Sequence, residues 1–393
     1  MSNILDYVKW RGDLSFQASP FNEVDNLIIS MLSYIHFDGV VEPNFNKPMK
    51  LSKVASLIFE KKEKVVSLLA MREEDFEELL RLTGESRRFG SIKLMNHINK
   101  IDLNKTMQFS ATVFEISRNV IYISFRGTDD TVVGWQEDFN MAVMDTVPSQ
   151  KQALKYMIHC SNVFGDCMIY VGGHSKGGNL AVYSALKSPK AICNRIIHVY
   201  NNDGPGFMNS NINPKLYDKM QNRITTLVPQ SSIIGMLLDH EEDYTVVKSS
   251  GTGGIMQHNA FNWEVLGREF IHLQDVYDNS KIIDLTIKNA VAHASEADRI
   301  AFVEALMSVV SGISDKTLTG LSLNKLNSLS KVVKGYESLS PENKKLINSA
   351  FKMLISDGVK NFTEIKSKEN KRNAFLLPKN TATKDTSIDY EED

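Results

Sequence analysis

Residues 170–186 read YVGGHSKGGNLAVYSAL. A short apolar run, Met168 to Val171, meets paired glycines, then Ser175, then two more glycines and a helical pattern that Pro189 stops after Lys187. The spacing Gly173-His174-Ser175-Lys176-Gly177 fits G-x-S-x-G, the sequence form of a sharp strand-to-helix turn. Glycines flank the serine because strand and helix approach so closely there that side chains would collide. Such a turn lifts the hydroxyl above the sheet edge. The N–H groups at the helix start then face any negative charge that develops beside it. A phosphate-binding loop is the other glycine-rich turn to weigh, but the Walker spacing is absent.

Outward from this turn, the pattern is that of an α/β sheet. QFSATVFEI (108–116) and VIYISF (120–125) flank Ser117-Arg118-Asn119 as a strand pair. Further strands are expected at Met168–Val171, Ile196–Tyr200, Arg223–Val228 and Tyr244–Lys248, with helices at Ser149–Phe164 and Gly177–Lys187 between them. Strands alternating with helices of this length predict an α/β fold with a mostly parallel central sheet. Residues 1–104 read as an N-terminal helical region packed on that core. Val24, Leu27, Ile28, Met31, Leu32 and Ile35 line one helix face, and Leu51–Leu69 and Glu73–Leu82 are further helices. The core spans 105–265, and 266–366 is helical again, with cap patterns at Ser295 and Ser340-Pro341. Residues 367–393 are polar and without periodicity, as in a disordered tail.

Composition narrows the partners. A net charge of -2 over 393 residues gives no electrostatic reason for nucleic acid. No signal-peptide pattern or apolar run of membrane-spanning length is visible, so a cytoplasmic protein is expected, with peripheral membrane contact left open. Cys160, Cys167 and Cys193 lack metal-ligand spacing and read as reduced packing residues. Neither a metal nor an organic cofactor is implied.

The strand Val120–Phe125 ends in Arg126-Gly127-Thr128, with Trp135 and Asp138 soon after. Acyl transfer needs two donors for an oxyanion, one N–H just after the nucleophile and one from an early strand-to-helix loop. Lys176 supplies the first. Thr128, with a backbone N–H and a hydroxyl, is the candidate for the second.

SFRGTDDTVVGWQEDF (124–139) together with VGGHSKGGNLA (171–181) resembles the class 3 lipases of the fungal type, over about 105–265. FNEVDNLIISMLSY, GWQEDFNM, VPQSSIIGMLL and GGIMQHNAFNW resemble more closely a bacterial lipase-like family of unknown function, over about 20–360. The resemblance implies an α/β-hydrolase fold and a serine hydrolase acting on a lipid or other small ester. It does not fix the substrate.

A serine becomes a nucleophile when a histidine takes its proton and an acid orients that histidine, and in α/β-hydrolases the chain order is Ser, acid, His. His258, late in the glycine-rich loop SSGTGGIMQHNAFNW, is the expected base, with His240 the second choice. His174, beside the serine in sequence, is expected to point elsewhere and to pack or hydrogen-bond. Asp203, where a strand runs into Asp203-Gly204-Pro205-Gly206, is the expected acid, with Asp239 and Asp243 as alternatives. Here the chain departs from the class 3 pattern, which takes its acid after the next strand. Val228-Pro229-Gln230-Ser231-Ser232 offers no carboxylate, and an acid one strand earlier resembles the pancreatic lipase arrangement. Arg126 reads equally as a brace of the oxyanion loop, paired with Asp138 or another acid, and as a surface charge, and Trp135 is expected to lie in the core. SSIIGMLL (231–238) reads equally as a lid and as a buried helix. The competing functions are a thioesterase or peptidase using the same residues, and an inactive scaffold that binds a partner.

Overall fold

The computed structural model describes residues 2–277, apart from 62–63, 67–70, 130, 142–143, 208–213, 233, 236–239, 241–242 and 252–253. Of the helical region expected over 266–366, residues 266–277 form turns and the short strands Glu269–Phe270 and His272–Leu273 instead of helix, and the remainder, with the polar tail, lies outside the described residues. Eight strands follow one another across the sheet in chain order: β1 (Met49–Lys50), β2 (Lys93–Asp102), β3 (Met107–Ser117), β4 (Val120–Phe125), β5 (Met168–His174), β6 (Ile196–Asn202), β7 (Ile224–Pro229) and β8 (Tyr244–Val247). The short strand His272–Leu273 closes the far edge against β8. Strands β4 to β8 run parallel, while β1 to β4 pair antiparallel, as does the closing strand.

The helices are α1 (Ile4–Arg11), α2 (Glu23–Leu32), α3 (Leu51–Lys61), α4 (Glu73–Glu85), α5 (Val132–Met141), α6 (Pro148–Val163), α7 (Lys176–Lys187), α8 (Lys190–Cys193), α9 (Pro214–Met220) and α10 (Gly254–His258). Crossovers of one hand along a sheet that grows in one direction place every connecting helix on the same face. The packing follows that rule. Residues of α6, α7, α8 and α9 share one core with Ile121, Ile123, Phe125, Ile169, Val171 and Val199. The opposite face would be bare without the N-terminal helices. Tyr122, Tyr200 and Leu227 turn to that side, alternating with their neighbours as strand residues must, and meet α1 to α4.

Helix α2 is buried along nearly its whole length, polar residues included. Its first turn is locked by a capping box between Asn22 and Asp25. Asp25 also holds Arg88, through Nη2 at 2.5 Å and Nε at 2.7 Å. The remaining Arg88 donors reach the carbonyls of Leu14, Ser19 and Pro20. One buried ion pair thus ties together the loop after α1, the start of α2 and the end of α4.

The helical reading of 1–104 leaves out two strands, the two-residue β1 and the longer β2. The apolar residues of β2, Leu94, Met95, Ile98 and Ile101, recur at spacings that mimic a helix. The cause is a bulge between Met95 and Ile98, where Asn96 has φ 50° and the two-residue alternation slips. Helix α3 also ends at Lys61, short of the expected Leu69.

Candidate active site

Strand β5 runs straight into α7, and Ser175 sits at the junction with φ 60° and ψ −135°. A non-glycine residue in that region carries about 1–3 kcal/mol of strain, held only because its surroundings over-determine it. The restraints are visible. The Ser175 N–H donates to the Asn202 carbonyl at 2.9 Å, and its own carbonyl accepts from the Gly178 N–H at 2.9 Å. A Cβ at Gly177 would lie 2.1 Å from the Phe125 oxygen, and one at Gly173 would lie 2.4 Å from the Gly177 carbonyl carbon. Both glycines are therefore obligatory for the turn.

The acid and base arrive from two later loops. Asp203 follows β6 directly, with φ 54° and no exposure. Its Oδ2 lies 2.6 Å from His258 Nδ1, and its Oδ1 accepts from the Ser232 hydroxyl at 2.5 Å. Thus the end of the next strand, which lacks a carboxylate, contributes a hydroxyl that holds the acid. His258 ends α10, and its ring lies tilted against that of His174, with centroids 4.4 Å apart at 36°. His174 Nε2 lies 2.8 Å from the His258 carbonyl oxygen. His174 packs and hydrogen-bonds, as expected, but it does so within the site, against the His258 ring, rather than away from it. Among the described residues no hydrogen bond joins Ser175 to His258, and His258 Nε2 has no partner. Such bonds are often long in ligand-free sites and tighten with substrate.

On the other side of Ser175 runs the loop after β4. A Cβ at Gly127 would lie 3.1 Å from Ser175 Cβ and 2.1 Å from the Tyr34 hydroxyl, so this strand end passes hard against the elbow. The Gly127 carbonyl accepts from Gln108 Nε2 at 3.5 Å. Because the peptide is trans, the Thr128 N–H points the opposite way. The Thr128 hydroxyl donates to Asp138 Oδ2, so in this state the backbone N–H alone is left for an oxyanion. Lys176 offers its own N–H at the start of α7, while its side chain is buried behind the loop. There Nζ reaches Gln108 Oε1 at 2.6 Å, the Gln108 carbonyl at 3.1 Å, Glu137 Oε2 at 3.2 Å and Asp138 Oδ1 at 3.6 Å. A buried ammonium is tolerated only with such partners. Glu137 also accepts from the backbone N–H groups of Gln108 and Ser149. Burial pushes the Asp138 carboxyl up to about 6, against the opposing pull of Lys176 and the Thr128 hydrogen bond.

His240 bonds the Gly235 carbonyl through Nε2 at 2.7 Å, Asp243 is exposed, and Asp239 lies outside the described residues. Of the two readings of Arg126 the brace holds: the side chain is buried and pairs with Asp129 at 3.0 Å and Asn99 at 3.0 Å. The side chain of Trp135 is not among those described. Of SSIIGMLL, Ser232 and Gly235 close over Asp203, a Cβ at Gly235 falling 2.1 Å from Asp203 Oδ1. Residues 233 and 236–238 lie outside the described residues. Sequence reasoning missed Tyr34, Glu137 and Ser232. The only signal for the first lies in the polar residues of α2, Asp25, Asn26 and Ser30, which an ordinary apolar helix would not bury.

Among the described residues, no three His, Cys, Asp or Glu side chains gather as they would around a metal ion. No described helix is long and apolar enough to cross a membrane.

A sheet built in chain order, with a serine lifted at the end of a central parallel strand, is the lipase-like α/β-hydrolase fold. Within that class the chain belongs to the Mbeg1-like family, whose model matches residues 83–308. Among solved structures it is similar to M37 lipase, at 17% identity and TM-score 0.36 over 53% of this chain and 68% of that one. It is also similar to Lip2 lipase from Yarrowia lipolytica, at 11% identity and TM-score 0.33 over 62% and 84%. Lipase II from Rhizopus niveus gives 12% identity and TM-score 0.34 over 70% and 90%. No curated protein matches the chain.

Proposed function

We propose that the chain is a serine hydrolase that cleaves carboxylic esters, of lipids or other acyl groups, through an acyl-enzyme on Ser175. One observation carries this reading: Asp203 and His258, distant in sequence, meet at 2.6 Å while the imidazole rests on the residue beside Ser175. With Nδ1–H held by Asp203, His258 presents an unprotonated Nε2. Ser175 Oγ attacks the ester carbonyl as Nε2 takes its proton. The N–H groups of Thr128 and Lys176 hold the oxyanion. Collapse expels the alkoxide, which leaves as alcohol with the proton from His258, and water repeats the sequence to free the acid. Peripheral contact with a lipid surface is compatible with this chemistry.

A fluorophosphonate probe tests the reading. Covalent labelling of the wild type, abolished in Ser175→Ala, is the expected result. Ester turnover should fall by roughly 10⁴- to 10⁶-fold in the same variant. The scaffold reading has its own observation, the lack of a hydrogen bond on the Ser175 hydroxyl among the described residues. Absence of labelling in a folded wild-type protein would favour it. A panel of para-nitrophenyl esters, thioesters and peptides separates an esterase from a thioesterase or peptidase.

A further inference from the structure

We infer that His174 and Tyr34 form a positioning pair that sets the orientation of His258. The N-terminal helical segment is then part of the site and not merely a cover for one face of the sheet. The use made of His258 rests on the hydrolase reading above; the geometry stands without it.

His174 is fully buried at the end of β5. Its Nε2 faces the His258 carbonyl at 2.8 Å. A carbonyl only accepts, so Nε2 carries the hydrogen. Burial, and then the neighbouring His258, hold the His174 imidazole well below its ordinary range, so the ring is neutral and Nδ1 is a bare lone pair. The Tyr34 hydroxyl lies 3.1 Å from Nδ1 and 3.3 Å from the His174 carbonyl, so its single hydrogen is shared between these two acceptors of one residue. One hydrogen bond at each nitrogen fixes both tautomer and ring plane. The face of that ring supports the His258 ring at 4.4 Å.

His258 needs such support. It ends a helix of five residues in a glycine-rich loop, too short to hold a side chain in place by itself. Asp203 grips its ring through Nδ1, and His174 grips its backbone through the carbonyl. Neutrality matters as well, because a charged ring stacked there would oppose the imidazolium that His258 becomes on taking the serine proton. Tyr34, just beyond α2, adds a link across the site. Its hydroxyl packs against Gly127, directly before Thr128, so one side chain touches both the oxyanion loop and the support of the base.

The test compares wild type, His174→Ala, His174→Gln and Tyr34→Phe, each checked for fold by circular dichroism. The first readout is the fluorophosphonate labelling rate across pH, resolved into maximal rate and apparent affinity. The second is NMR of protein with ¹⁵N-labelled histidine, which follows the low-field Nδ1–H proton between His258 and Asp203. His174→Ala should slow maximal labelling by roughly ten- to a hundredfold with affinity unchanged. The low-field proton should broaden or vanish with it. His174→Gln, whose amide N–H reaches the same carbonyl, should recover much of both. Tyr34→Phe should slow labelling by a few-fold and move its pH midpoint, since His174 without its donor takes up a proton more readily. Unchanged labelling and an unchanged low-field proton in His174→Ala and Tyr34→Phe would overturn the inference, as would a His174→Gln no better than His174→Ala. If the wild type is not labelled, the hydrolase reading fails and the NMR arm decides positioning alone. If His174→Ala does not fold, Tyr34→Phe, which removes a single oxygen, decides.

Discussion

Two short carboxylate contacts in this molecule look alike and are built for different ends. Asp25 meets Arg88 at 2.5 Å, and Asp203 meets His258 at 2.6 Å. In the first pair both side chains are fully buried, both carboxylate oxygens are used, and the guanidinium spends its remaining donors on three carbonyls. In the second, Asp203 is equally buried and saturated, but His258 keeps 14% exposure and an Nε2 without a partner among the described residues. A closed pair has nothing left to offer a substrate. A pair with one unspent valence, aimed from a buried anchor toward solvent, can move a proton.

Removing the charge from each acid is the sharpest way to break the comparison. Asp203→Asn should cost roughly 10⁴-fold in turnover by leaving the wrong tautomer, with little change in melting temperature. Asparagine tolerates the left-handed backbone at that position, so the turn should survive. Asp25→Asn should do the reverse: about 3–5 kcal/mol of stability lost by stranding the Arg88 charge, with turnover per folded molecule near wild type. Urea unfolding and steady-state kinetics on both variants check this. Equal effects of the two changes on turnover would show that the pairs are not separate devices.

Ser232 refines the picture at smaller scale. Its hydroxyl supplies the second hydrogen bond to Asp203, worth about 1.5–3 kcal/mol for a charged acceptor. Ser232→Ala should therefore slow turnover by roughly ten- to a hundredfold, well short of the loss in Asp203→Asn. A rate equal to wild type would mean that the His258 contact alone orients the acid.

The difference between the two pairs also marks what the amino-acid sequence reveals. Ser175, Asp203 and His258 are legible because chemistry restricts both their types and their order along the chain, and the glycines around Ser175 announce a close approach. The parallel strands are legible because each is a compact apolar run. Strand β2 is not, since a single bulge erases the alternation that would have betrayed it. Tyr34, His174 and Ser232 are hidden for another reason. Their roles arise from contacts between segments far apart in sequence, Tyr34 with His174 and Ser232 with Asp203, and no local pattern encodes such meetings. Lys176 illustrates the same gap: its backbone role follows from position, whereas its buried partners Glu137 and Gln108 come from α5 and β3.

The smallest effect concerns two titrations beside the elbow that oppose one another. Asp138 is raised from 3.8 to about 6, so between those values the folded protein keeps a proton that the unfolded chain has released. Its contribution to stability is present at low pH and fades as pH rises through about 6. His174 is held well below 6.5, so as pH falls past that value the unfolded chain takes up a proton that the folded protein refuses. That contribution is present above 6.5 and is lost on acidification. Between 3.8 and about 6 the Asp138 slope is about 1.4 kcal/mol per pH unit, and the His174 slope below 6.5 carries the opposite sign and opposes it. Asp138→Asn removes one slope and should make melting temperature fall more steeply on acidification than in the wild type. His174→Gln removes the other and should make it fall less steeply, the curves separating by roughly 2 °C per pH unit. Three parallel curves between pH ~4 and ~6 would mean that neither group is shifted by the burial that surrounds it.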